Sequence, residues 1–339
     1  MRKITITFGI LLMHIFVAAQ DPHFSQFFMA PNFVNPAISA VSSSDWRIMG
    51  NLRQQWGNAG TPFNTQTVAA EMKITGQEKY DPNIINQNTL ACGVSMMLDQ
   101  SMFGAFKSTY AVGTVAYKAV LSDEQSISLG MHGMYGNRVI DYTRLTFGEQ
   151  FTSGGFNASF PSGEQALSSM KSFFSLGAGL LYNYQSQDFN LVVGGAAYHL
   201  NNPKQTFLKD PTQIIPKRYV AHSNVEFPIS KFVSLNLNAC YQIQALPAYF
   251  SAGGAVGYDL SGDKNSVLYA GGWFREGDSF YPYLGWSVGL IQIGFSYDVV
   301  HSKQNLGPSN PRSFEMSFVV RQKSDPNKKF RVGCPQAPW

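Results

Sequence analysis

From about Phe173 onward this chain repeats segments of about ten residues in which one parity is apolar or aromatic and the other is small or polar. Side chains of an α-helix return to one face every 3.6 residues, whereas those of a strand alternate strictly between two faces, so only strands fit. The cleanest run sets Val233, Leu235, Leu237, Ala239, Tyr241 and Ile243 against Ser234, Asn236, Asn238, Cys240 and Gln242. The pattern returns as Ala248, Phe250, Ala252, Val256 and Tyr258 against Tyr249, Ser251, Gly253, Gly257 and Asp259. It returns again as Ile291, Ile293, Phe295, Tyr297 and Val299 against Gln292, Gly294, Ser296 and Asp298. Such strands predict a wall between lipid and water.

Composition agrees with a membrane wall made of strands. The 339 residues are only 14% charged and 14% aromatic, yet the mean hydropathy is −0.11. Polar lumen residues cancel lipid-facing apolar ones when hydropathy is averaged along a membrane β-barrel. The expected fold is therefore all-β: a transmembrane antiparallel up-and-down β-barrel of about fourteen strands, with both termini periplasmic.

Residues 1–19 read as a signal peptide. Arg2 and Lys3 form a basic n-region, Ile4 to Val17 an apolar core, and Val17 with Ala19 a small-residue cleavage site, so cleavage is expected before Gln20. The apolar run is shorter than the ~20 residues of a spanning helix. Cleavage removes two basic residues and no acid, taking the formal charge from +4 to +2, too little to imply nucleic acid. Three cysteines remain after export. Parity puts Cys92 toward lipid and Cys240 in the lumen, Cys334 falls in the tail, and the three form no disulfide framework.

Turn signals divide the rest. Segment 20–44 is an N-terminal periplasmic or plug segment, 45–321 the outer-membrane barrel, and 322–339 a periplasmic C-terminal tail. The expected strands are Asp45–Trp56, Pro62–Ile74, Thr89–Asp99, Ser108–Leu121, Glu124–Asn137, Lys171–Gln185 and Asp188–Leu200 in the first half. Pro216–Phe227, Lys231–Ile243, Pro247–Leu260, Asn265–Arg275, Ser279–Gly289, Ile291–Val300 and Arg312–Arg321 follow. Outer-membrane barrels pair short periplasmic turns with longer external loops. Ser122-Asp123, Ser186-Gln187, Pro228 to Ser230 and the Gly289–Ile291 junction are tight; Arg138 to Met170, Asn201 to Ile215 and His301 to Pro311 are long. The exception is Thr75 to Asn88, a long stretch on the predicted periplasmic side.

Three segments without strand periodicity carry the candidate partner-binding residues. Segment 20–44 holds Phe24, Phe27 and Phe28. The stretch Thr146 to Ser169 holds Phe147, Phe151, Phe156 and Phe160 at spacings that suit no buried face, as expected of a contact surface. The tail is basic, with Lys328, Lys329 and Arg331, and reads as a docking element. Trp46, Trp56, Trp273, Phe280 and Tyr281, near predicted strand ends, read as interfacial girdle residues.

Catalytic and metal readings find no support. Gly285-Trp286-Ser287-Val288-Gly289 has the G-x-S-x-G form of a hydrolase elbow, but that motif needs a strand-to-helix turn, and alternation makes Ser287 an ordinary lumen residue. His23, His132, His199, His222 and His301 include no pair at the spacing of a helical metal site. No cofactor is expected. Glu226, Asp259, Asp298, Glu315 and Arg321 fall on the lumen parity, where internal pairing is the expected use and a channel lining the other.

The run Gln20-Asp21-Pro22-His23-Phe24-Ser25-Gln26-Phe27-Phe28, continuing through Ala30-Pro31 to Asn35-Pro36-Ala37, resembles the opening of the PorP/SprF family of Bacteroidetes outer-membrane proteins. Further marks follow in order: Arg53-Gln54-Gln55-Trp56, Gly177-Ala178-Gly179-Leu180-Leu181-Tyr182-Asn183, Asn202-Pro203, Gly272-Trp273-Phe274-Arg275, Phe295-Ser296-Tyr297-Asp298 and Cys334-Pro335. The resemblance implies a non-enzymatic component of the type IX secretion and gliding motility apparatus. Its implied partners are outer-membrane lipid and either a periplasmic ring lipoprotein or peptidoglycan-binding protein, or a large secreted adhesin, or both. The Phe-rich insertion around Phe147 to Phe160 departs from the family pattern. The alternative reading is a transporter for a small hydrophobic compound, with segment 20–44 as its plug.

Overall fold

A computed structural model describes residues 21–57, 61–74, 88–157, 159–161, 171–205, 213–301 and 311–322. Fourteen antiparallel strands close into one barrel. In chain order they are β1 Trp46–Gln55, β2 Phe63–Ile74, β3 Thr89–Ser101, β4 Phe106–Val120, β5 Gln125–Ile140, β6 Phe173–Gln185 and β7 Asn190–Tyr198. The second half comprises β8 Arg218–Pro228, β9 Val233–Gln244, β10 Ala248–Asp259, β11 Ser266–Arg275, β12 Ser279–Val288, β13 Ile291–Val300 and β14 Arg312–Arg321. Each strand pairs with its sequence neighbours, and β1 pairs with β14 from Arg47↔Arg321 to Gln54↔Phe314, which closes the wall. A closed ladder leaves no unpaired edge, which is what lets a β-structure cross lipid. The ladder lapses between β12 and β13 beside Pro282, which has no N–H to donate.

The expected strands are all present, and no boundary differs by more than the three residues that separate Asn137 from Ile140. The parity holds as read. Along β9, Ser234, Asn236, Asn238, Cys240 and Gln242 are buried in the lumen, while Leu237 and Tyr241 are exposed on the outer wall. Cys92 lies on the outward parity of β3. Ser287 is buried on the inward face of β12, inside a strand that precedes no helix.

The girdle expectation needs correction. Trp46 and Phe280 do face outward, but Trp273 is 2% and Tyr281 0% exposed, and both point into the lumen. Parity is the reason: Trp273 shares its face with Val267, Tyr269 and Arg275, the other buried residues of β11. Proximity to a strand end was the weaker guide.

Residues 21–44 lie inside the barrel and are called the strap below. It comprises a 3-10 turn at Phe27–Met29 and two single-turn helices, α1 Pro31–Val34 and α2 Ile38–Val41. Pro31 occupies the first turn of α1, where its missing N–H has no partner to lose. Asn35 then turns the chain: its N–H closes α1 on the Pro31 carbonyl at 2.9 Å, and its Oδ1 accepts the Ala37 N–H at 2.9 Å to start the next turn.

The fourteen-strand count brings the start of β1 and the end of β14 to one end of the barrel. That end carries the tight connections at Ser122-Asp123 and Ser186-Gln187, and the opposite end carries the long ones between β5 and β6, β7 and β8, and β13 and β14. Residues 75–87 of the exceptional long connection lie outside the described residues.

Candidate functional site

Inward-facing residues from most of the wall converge on the strap, and their contacts fall in order along it. At its beginning, the Asp21 N–H donates to Gln244 Oε1 at 2.8 Å, and its carboxylate meets His199 Nε2 at 2.8 Å and Arg218 Nε at 3.4 Å. His199 and Arg218 flank the long connection between β7 and β8. The His23 ring packs on Tyr249 with centroids 5.0 Å apart.

Ser25 and Gln26 sit in a buried ionic network. Glu315 accepts the Ser25 N–H at 2.8 Å and the Gln26 N–H at 3.2 Å. The Ser25 hydroxyl donates to Asp298 and accepts from Arg53 and Arg275. Arg53 in turn reaches Asp298 and Glu315, both at 3.1 Å. Gln26 Nε2 donates to the Glu315 carbonyl at 2.8 Å and to Ser296 Oγ at 3.1 Å, and Ser317 donates back to Gln26 Oε1 at 2.5 Å. Arg53 and Arg275 face Asp298 and Glu315 here, and Arg275 pairs further out with Asp278 at 2.9 Å, so each buried carboxylate has a cation beside it. That balance is the condition under which buried ions are tolerated. The arrangement fits a permanent internal clamp better than a site awaiting an ion.

Deeper in the lumen the contacts become apolar. Phe28 stacks on Trp273 at 4.4 Å and meets Tyr283 edge-on at 5.4 Å, while Met29 and Ile38 are fully buried. Asn35 Nδ2 then donates to the carbonyls of Leu180 at 3.0 Å and Gly195 at 3.2 Å. It also lies 3.0 Å from His222 Nε2, which must accept, because Nδ2 carries only donors. Glycine is required where the backbones meet. A Cβ at Gly179 would stand 2.0 Å from Asn35 Oδ1, and one at Gly130 would stand 2.3 Å from the Ala37 nitrogen. At the far end, Ser39 donates to Glu71 at 2.5 Å, and Glu71 pairs with Arg47 at 2.6 Å. Arg47 opens β1 and Glu71 lies near the end of β2, both beside the tight connections.

The sequence-derived candidates separate into three groups. Phe24, Phe27 and Phe28 are only 4–5% exposed and are held by the barrel, not presented to a partner. Phe151, Phe156 and Phe160 are 61%, 46% and 46% exposed, and Phe147 is half-buried against Tyr142. Phe151 pairs with Phe156 and Thr152 with Gly155 in a two-residue ladder that raises two rings together on the long-loop side. Arg144 ties the base of this loop to the β3–β4 turn through the Phe103 carbonyl and pairs with Asp141 at 3.0 Å. Hydrogen bonds from Thr143, reinforced by Arg144, hold the exposed Asp141 carboxyl below the usual carboxylate range. Lys328, Lys329, Arg331 and Cys334 lie outside the described residues.

Among the expected lumen charges, Asp298 and Glu315 pair internally with Arg53. Asp259 instead caps the β10–β11 turn, accepting the N–H groups of Ser261, Gly262 and Lys264. The sequence reading missed Arg47, Arg53, Glu71 and Arg275 as strap anchors. The signal was available, since all four occupy the inward parity. No group of three or more His, Cys, Asp or Glu residues suited to a metal occurs among the described residues.

Fold and site together define an outer-membrane type of β-barrel whose lumen is occupied by its own N-terminal segment. Residues 16–320 match the family model of the type IX secretion system membrane protein PorP/SprF, and the chain belongs to that family. Residues from several of the blocks that carry the resemblance meet in the lumen: Ser25-Gln26, Phe28, Asn35, Arg53, Gly179, Trp273, Arg275, Ser296 and Asp298. No curated protein matches. Similar solved structures include the P. putida toluene transporter TodX, at 8% identity and a TM-score of 0.48, covering 85% of this chain and 92% of that one. A Pseudomonas aeruginosa FadL homologue follows at 12% identity and 0.47, covering 86% and 94%. CdiB from Acinetobacter baumannii gives 5% and 0.44, covering 82% of this chain and 60% of its own. These likenesses extend to barrel architecture and no further.

Proposed function

We propose that this chain is a non-enzymatic outer-membrane component of the type IX secretion and gliding apparatus, in which the barrel is a scaffold and the long-loop face holds a large exported adhesin. The observation that carries this reading is the strap: with the lumen occupied by the chain's own buried side chains, the faces of the barrel are what remains for partners. Phe151, Phe156 and Phe160 give the long-loop face an exposed aromatic surface. The opposite face, carrying the tight turns and the end of β14, is the periplasmic one in this reading, and the basic tail with Lys328, Lys329 and Arg331 is the contact for ring or peptidoglycan-binding components.

The test is the triple variant Phe151→Ser, Phe156→Ser, Phe160→Ser. The adhesin is expected to shift from the cell surface to the medium while the barrel stays in the outer membrane. Unchanged surface retention removes the loop from the function. Transport of a small hydrophobic compound would need the strap to leave its path. Uptake by the purified barrel in liposomes would establish that alternative, and a barrel sealed at every strap truncation would end it.

A further inference from the structure

Three observations fix the course of the strap through the wall. The chain enters β1 at Trp46, on the tight-turn end where β14 also finishes at Arg321. Moving backward in sequence, Ser39 is held by Glu71 at that same end, and Asn35 by Leu180 and Gly195 deeper in. Ser25 is held by Arg53, Asp298 and Glu315 near the other end, and Asp21 by His199 and Arg218 at the foot of a long connection. The ladder around it is closed, so the strap runs from one mouth of the barrel to the other.

We propose that residues 21–44 cross the membrane inside the wall, so that the Asp21 end is displayed on the long-loop side, opposite Arg321. The described chain then crosses the membrane once as a strap and fourteen times as strands, with Asp21 and Arg321 at opposite mouths. This proposal departs from the expectation that both termini share the periplasmic side. The tip is tied down but not sealed. Asp21 and Pro22 are half-buried beside His199 and Arg218, so they form part of the floor of the long-loop face. The inference rests on the outer-membrane reading only for which side is called outside.

The test uses the full chain in cells, with Cys92, Cys240 and Cys334 replaced by serine and one new cysteine at a time. The reporters are Pro22→Cys for the strap tip, Gly154→Cys for the long loop and Asp123→Cys for a tight turn, probed with a membrane-impermeant maleimide before and after permeabilisation. Heat-dependent gel mobility confirms that each variant is an assembled barrel. Pro22→Cys and Gly154→Cys are expected to label on intact cells, and Asp123→Cys only after permeabilisation. Pro22→Cys following Asp123→Cys overturns the strap's course. A Pro22 cysteine that labels in neither state also overturns it, because the tip would then be shut inside the wall. If Pro22→Cys and Gly154→Cys are protected together while Asp123→Cys labels, the strap's course stands and the assignment of the outer face fails.

Discussion

Two groups of phenylalanines occupy segments without strand periodicity, and the barrel treats them oppositely. Phe24, Phe27 and Phe28 are buried at 4–5% exposure inside a lumen that supplies Trp273 and Tyr283 as ring partners. Phe151, Phe156 and Phe160 stand 46–61% exposed on a loop in which Phe151 and Phe156 face each other across a two-residue ladder. Aromatic residues outside periodic elements are therefore ambiguous until the surface that faces them is known. What separates the groups is polar tethering: the strap's aromatics are bracketed by Asp21 on one side and Asn35 on the other, with Ser25-Gln26 between them, all hydrogen-bonded to the wall.

The contrast is broken most severely by Arg53→Ala. It leaves Asp298 and Glu315 without their shared cation, and loss of one partner from a buried ion pair costs about 3–5 kcal/mol. The urea midpoint of the barrel in detergent is expected to fall, and Arg53→Met combined with Asp298→Asn and Glu315→Gln to recover part of the loss. Phe28→Ala follows, since truncating a buried Phe costs roughly 3–5 kcal/mol where the cavity cannot collapse. Its distinctive readout is quenching or shift of the Trp273 fluorescence signal, because Phe28 stacks on that ring. Asn35→Ala should cost about 1–3 kcal/mol, the penalty for unmade buried hydrogen bonds, and should raise proteolysis of the strap more than that of the wall. The smallest effect on stability belongs to the triple loop variant. Replacing exposed rings should change the midpoint by no more than about 0.5 kcal/mol while releasing the surface partner. A large stability loss there would mean the loop packs on the barrel as the strap does.

The wall was legible because alternation is a local property that each strand carries in its own residues. Even the early strands, β1 to β5, follow from parity and turn residues. The strap was not legible in the same way, because helices of one turn, Pro31–Val34 and Ile38–Val41, are too short to show a period. Its partners could have been found. Arg53, Arg275, Asp298 and Glu315 share the inward parity near one mouth of the barrel, and such charges call for one another in a packed lumen. Trp273 and Tyr281 were misplaced by trusting their nearness to strand ends over the parity that sets their direction. Which mouth the strap reaches depends on contacts between residues far apart in sequence, and no local signal encodes that.

The clamp on Ser25 and Gln26 joins positions separated by about 290 residues, because Glu315 and Ser317 belong to the final strand. This clamp, unlike the ties at Asp21, Asn35 and Ser39, therefore needs the last strand of the wall. Without β14, Arg53 would keep Asp298 but lose Glu315, and the strap would keep its ties at Asp21, Asn35 and Ser39 but lose those of Ser25 and Gln26 to Glu315 and Ser317. The residues made last thus complete the hold on one of the first segments made.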